Sequence, residues 1–146
     1  MPQISRKPLS KNKLDKIFEI FFKSFASLKN PSDIQKLLSD LLGPVERTML
    51  AKRLAIALLL HKGYSYEAIK GTLHVSQETI ARVNISLNYG GNGYQLVIKK
   101  ILREEKLNEI FEKVEDATIA ALPISSVKKA LVAERKKTRK TKTSLG

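Results

Sequence analysis

Residues 76–82 hold side chains whose types and spacing could read the edge of a nucleic acid. Ser76, Gln77, Glu78 and Thr79 stand in a row, followed by Ala81 and Arg82. A glutamine amide can pair with adenine, a carboxylate can accept from cytosine, and a methyl-sized side chain can meet the thymine methyl. Arg82, and Lys70 six residues before Ser76, could hold phosphates, which position a protein on a duplex without reading its sequence. That chemistry needs the polar row presented on one edge of a rigid element, with the opposite edge anchored.

The surrounding spacing supplies such an element. Ile69 and Leu73 are four apart and share one face of a first short helix, while Ile80, Val83 and Leu87 line one face of a second. Val75 falls in the break and plugs the angle between them. Ser65 and Ser76 are placed as N-caps, with Glu67 and Glu78 in first turns where the helix dipole favours acids. Residues 65–87 therefore read as a helix–turn–helix, a layout that offers its second helix to the DNA major groove. Two packed surface helices with no ligand would share the same periodicity. Two details depart from an ideal motif. His74 stands in the turn where glycine relaxes the backbone most easily, and Lys70 stands where a small residue commonly meets the partner helix.

Two such short helices must rest on a larger body, and the rest of the chain reads as one. Ser10–Lys29 carries a wide apolar stripe of Leu14, Ile17, Phe18, Phe21, Phe22, Phe25 and Leu28, broad enough to be buried on two sides, one of which could belong to another subunit. Asn30-Pro31 and Gly43-Pro44 each open a helix. The helix from Pro44 to Lys62 is apolar on all sides over Leu54–Leu60 and should be the buried centre, ended by Gly63. Arg53 precedes that apolar run and must reach water, a carboxylate or an anion. Asn88–Tyr94 reads as a glycine-rich hinge with its two tyrosines as packing anchors, and Tyr94 to about Leu122 as one helix in which Glu109 and Lys113 could pair.

Charge is placed at the ends. Of the net +13, +4 falls on residues 1–16 and +7 on residues 123–146, leaving +2 for everything between. Basic arms of this kind suit a polyanion, whose counterions they release, although a solvated tail has the same composition. The expected division is a disordered basic arm over 1–9, one helical domain over 10–122, and a basic, largely disordered extension over 123–146. A weak last helix could form over 124–135. The chain has no cysteine and only two histidines, which leaves no thiolate chemistry and no metal-ligand spacing; no nucleophile constellation appears. The expectation is therefore no enzyme, no cofactor and no metal. No apolar run is long enough to span a bilayer, so no membrane is expected and the cytoplasm, at the nucleoid, is the expected place.

Several runs resemble the Trp repressor superfamily of bacterial transcription regulators, in its YerC/YecD-like branch. They are Asp40-Leu41-Leu42-Gly43-Pro44-Val45-Glu46-Arg47, Ala51-Lys52-Arg53-Leu54-Ala55-Ile56, Leu59–Tyr66, Val75–Val83 and Ser86-Leu87-Asn88-Tyr89-Gly90. The resemblance covers roughly residues 14–103. It implies an all-α fold, an intertwined homodimer built from the first three helices and the last, and a helix–turn–helix head on each side that reads an operator half-site of double-stranded DNA. It also implies that the phenylalanine stripe faces the partner chain. Members that bind L-tryptophan as corepressor sandwich it between two arginines, matched here by Arg53 and Arg82. A threonine and a glycine of that site are replaced by Gly43 and Val83, and the branched Val83 should fill the slot, which counts against tryptophan. The expected function is a sequence-specific DNA-binding transcription regulator, with repression as its mode. The alternative is a sequence-independent architectural DNA- or RNA-binding protein that works through its basic arms.

Overall fold

A computed structural model describes residues 6–121 as seven α-helices, and no strand occurs among the described residues. In order they are α1 (Lys11–Ser27), α2 (Pro31–Leu41), α3 (Pro44–His61), α4 (Tyr66–Leu73), α5 (Gln77–Tyr89), α6 (Gly93–Arg103) and α7 (Glu105–Ala121). The expected extension over 123–146, with its weak helix, and the first residues of the amino-terminal arm lie outside the described residues. The chain forms two compact units that divide between Thr48 and Met49, within α3.

In the first unit, local capping sets the helix starts. The Asn30 side chain accepts the Ser32 N–H at 3.0 Å, and Pro31 occupies the first position of α2. The Gly43 N–H donates to Glu46 Oε2 at 2.8 Å, the reciprocal half of a capping box at the start of α3. The apolar stripe of α1 forms as expected, with Phe21 and Phe25 ring centroids 4.9 Å apart, but no residue of α1 or α2 is buried. Phe22 is 62% and Ile20 69% exposed.

The second unit holds the core. Ile56, Ala57, Leu58 and Leu59 of α3 meet Ile69 of α4, Ile80, Val83 and Leu87 of α5, Ile98 of α6 and Phe111 of α7. The buried residues of α5 are those that a 3.6-residue repeat places on one side, whereas the four consecutive buried residues of α3 enclose it all round, as its apolar run implies. Gly63 closes α3 at φ 84°, the left-handed conformation expected there.

Three expectations are corrected. The long helix from Tyr94 is two helices, broken at Glu104, whose backbone is extended at φ −86°, ψ 114°. No glycine or proline marks the break. It forms because α6 and α7 pack against each other, which a continuous rod would prevent; the Glu104 carbonyl then accepts the Asn108 N–H at 2.9 Å and starts α7. Glu109 and Lys113, on α7, form no ion pair. The hinge is shorter than expected, because α5 runs through Tyr89 and α6 begins at Gly93. At Gly90 a Cβ would lie 2.4 Å from the Ser86 carbonyl oxygen, so only glycine fits this close return of the chain on the last turn of α5.

Candidate nucleic-acid interface

The helix–turn–helix expected over 65–87 is α4, a three-residue turn and α5. Each helix starts on a serine. Ser65 Oγ accepts the Ala68 N–H at 3.2 Å, and Ser76 Oγ accepts the Thr79 N–H at 3.2 Å. The Ser76 and Thr79 hydroxyls also share a hydrogen bond at 3.0 Å. His74 takes the left-handed conformation, φ 50° and ψ 56°, that the sharp turn requires. Its amide donates to the Lys70 carbonyl at 3.0 Å, and its own carbonyl accepts from Lys52 Nζ of α3 at 3.4 Å. A lysine thus satisfies the carbonyl end of α4 where glycine is absent. The neighbouring Lys70 side chain points to solvent rather than into the helix contact, so its size causes no conflict.

Burial of one row of α5 dictates what the other row presents. Ile80 is fully buried and Val83 is 4% exposed, so the opposite side of the helix must face solvent. Gln77, Glu78 and Arg82 are exposed there, with Ala81 half-buried at the margin. Lys70, Gln77, Glu78 and Arg82 make no side-chain hydrogen bond or ion pair among the described residues. Their donors and acceptors are therefore available to an external partner. Ser76 is exposed and Thr79 half-buried, and the hydroxyls of both are engaged in the cap. Glu78 and Arg82 cancel in charge, so attraction of this edge to a polyanion depends on cations outside it, Lys70 among them.

The same outward row continues to Ile85, 59% exposed, and Tyr89, 87% exposed. Sequence reasoning passed over Ile85 and placed Tyr89 in packing. Tyr94 does pack on the core, but Tyr89 does not. The signal was present in the numbers: 78, 82, 85 and 89 recur at spacings of three and four, opposite the buried 80, 83 and 87. Behind this row lies an open groove of about 590 Å³, lined by Leu54, Ser86, Gly90, Tyr94 and Val97 among others.

Of the two arginines matched to the corepressor site, Arg53 and Arg82 are both exposed. Val83 is packed within the core, and the Gly43 amide is held by Glu46. No helix among the described residues is long and apolar enough to cross a membrane.

Comparison with known proteins places this arrangement. The family model described as Trp repressor protein matches residues 16–102. Uncharacterized protein YerC of Bacillus subtilis (strain 168) is 33% identical over 84 residues, which cover 58% of this chain and 81% of that protein. Two solved structures are similar. A TrpR like protein from Eubacterium eligens ATCC 27750 has a TM-score of 0.58 and 33% identity, over 62% of this chain and 94% of that one. A candidate Trp repressor from Staphylococcus aureus has a TM-score of 0.59 and 26% identity, over 66% of this chain and 98% of that one. The all-helical fold is Trp repressor-like, α7 lies past the matched segment, and members of the family are regulatory DNA-binding proteins rather than enzymes. Matched over more than half of its length, the chain belongs to the Trp repressor protein family of DNA-binding transcription regulators.

Proposed function

We propose that the protein is a homodimeric transcription repressor that reads a duplex with the outward edge of α5. The observation that carries this reading is the unengaged row Gln77, Glu78 and Arg82, held outward by a serine-capped helix whose other side is core. Gln77 and Glu78 meet base edges, Ala81 offers its methyl to thymine, and Ser76 and Thr79 rigidify the helix start that enters the groove. Lys70 and Arg82 take phosphates. The exposed phenylalanine row of α1 supports dimerisation, since a stripe of that size left in water is costly and a second copy covers it. Sedimentation should then report twice the 16.4 kDa chain mass.

The buried Val83 supports a regulator that does not use L-tryptophan; calorimetric titration with the amino acid should give no binding heat. Selection of duplexes from a random pool tests the main reading. It should enrich a palindrome whose half-sites lie about 34–36 Å apart, one helical turn, or a multiple of that. Binding through the basic ends alone, the architectural alternative favoured by the +13 charge, would enrich no sequence.

A further inference from the structure

The matched family segment ends at residue 102, yet α7 is built into the head rather than appended to it. It packs on α4 and α6 and buries Phe111, Glu115, Thr118 and Ile119. Phenylalanine and isoleucine are what a core helix buries; a carboxyl group is not. Glu115 is 5% exposed, and the Tyr64 hydroxyl, two residues before α4, donates to its Oε1 at 3.2 Å. Thr118, fully buried, donates its hydroxyl to the Val114 carbonyl of its own helix at 2.8 Å, so that bond holds α7 to no other element. Further along, a methyl on Gly71 would lie 4.0 Å from Ala121 Cβ, at van der Waals distance. The two elements therefore run the same way, the α4 segment from Tyr64 towards Gly71 and α7 from Glu115 towards Ala121.

A carboxyl group taken out of water is costly unless it is hydrogen-bonded. Glu115 keeps its bond to Tyr64 in one register of α7 on α4, and a slide of one helical turn, about 5.4 Å, would strand it. Apolar contacts are non-directional and set no such register. The position of α4 reaches the reading helix through the three residues His74–Ser76, of which His74 is left-handed and Val75 packs on the core. A shift of α4 is therefore passed on to Ser76 and Gln77. From this we propose that Glu115 is a positioning residue of the reading head: by holding Tyr64 it fixes α4 in one register on α7, and through α4 the height and tilt of the α5 edge. The proposal rests on the DNA-reading role of α5 and adds to it a residue buried away from the reading edge. Its consequence is selective. Base edges are read through hydrogen bonds confined to donor–acceptor distances of about 2.7–3.2 Å, whereas phosphates are held by charge, which tolerates a shift. Loss of the register should weaken the reading of a specific site and leave attraction to any duplex in place.

Three variants of the full chain separate positioning from packing. Glu115→Met keeps the length of the side chain and removes its polar oxygens. Glu115→Gln removes the same charge but keeps an oxygen for the Tyr64 hydroxyl. Tyr64→Phe removes the donor alone. Each is titrated at one salt concentration on the enriched duplex and on random DNA, at a temperature where urea unfolding shows it to be folded. Glu115→Met and Tyr64→Phe should bind the enriched duplex about tenfold more weakly, the discrimination that one base contact supplies, and random DNA within about twofold of the native chain. Glu115→Gln should bind both as the native chain does. The urea midpoint of Glu115→Met should match or exceed the native one, because apolar atoms of similar size in place of a buried polar pair are often neutral or stabilising; unfolding then does not account for its weaker reading. Amide exchange at Ile69 and Leu73 of α4 should quicken in the two weak binders and not in Glu115→Gln. Native affinity of both Glu115→Met and Tyr64→Phe for the enriched duplex overturns the proposal. So do equal losses on enriched and random DNA that follow a fallen urea midpoint, which is how a packing residue behaves. Should Glu115→Met not fold, Tyr64→Phe, which lacks a single oxygen, decides alone. A native chain that does not prefer the enriched duplex to random DNA removes the DNA-reading role, and the proposal with it.

Discussion

Ser76→Ala removes the device that holds the reading edge of α5 in place. Ser76 Oγ accepts the Thr79 N–H at 3.2 Å and is bonded to Thr79 Oγ1 at 3.0 Å. Alanine deletes both and leaves an orphan amide at the helix start. The position is exposed, so water can replace the hydroxyl, and the loss stays near the ordinary cap value of about 1 kcal/mol. Against a total stability of about 5–15 kcal/mol, the chain remains folded, while the first turn of α5 opens about fivefold more often. Urea unfolding reads the global loss, and amide exchange at Thr79 and Ile80 reads the local one. Ser76→Asp separates the cap from contact with DNA. Aspartate caps as well as serine, so stability should return, but its charge faces phosphates, so duplex affinity should stay low. The reasoning is refuted if Ser76→Ala stays within the about 0.5 kcal/mol scatter of ordinary surface changes and leaves Thr79 exchange untouched.

Three further outcomes are expected. Gln77→Ala and Glu78→Ala should each cost about 1–3 kcal/mol on the enriched duplex and little on random DNA; equal losses on both would remove their reading role. His74→Gly should raise stability by about 0.5–1 kcal/mol, because relief of the left-handed strain exceeds the added entropy of a glycine, with the melting temperature as readout. Gly90→Ala should cost about 1–3 kcal/mol in urea unfolding, because its methyl would lie 2.4 Å from the Ser86 carbonyl oxygen and the end of α5 must shift.

What could be read from the residues was local or periodic. Caps at Asn30, Ser65 and Ser76 depend on a side chain and an amide two or three residues away, so the sequence carries them directly. The buried row Ile80, Val83 and Leu87 follows from spacing, and with it the outward edge that bears Gln77, Glu78 and Arg82. The break at Glu104 was not legible, because nothing at that residue forbids a helix; the packing of α6 against α7 makes it. Tyr89 was misplaced for a related reason. A tyrosine beside glycines suggests an anchor, but its side is decided by the register of α5, which the buried row sets. The course of α7 along α4 depends on contacts such as Tyr64 to Glu115, fifty-one residues apart, and no local pattern announces them.

The central claim is that the outward edge of α5 enters the duplex. Because the chain has no cysteine, a photoactivatable cross-linker can be carried by Ala81→Cys alone, with Lys113→Cys on the exposed side of α7 as the comparison. On the enriched duplex, the probe at position 81 should cross-link to bases inside each half-site, and the probe at 113 should not. Cross-links to bases from 113 alone, or from both positions alike, would contradict the account.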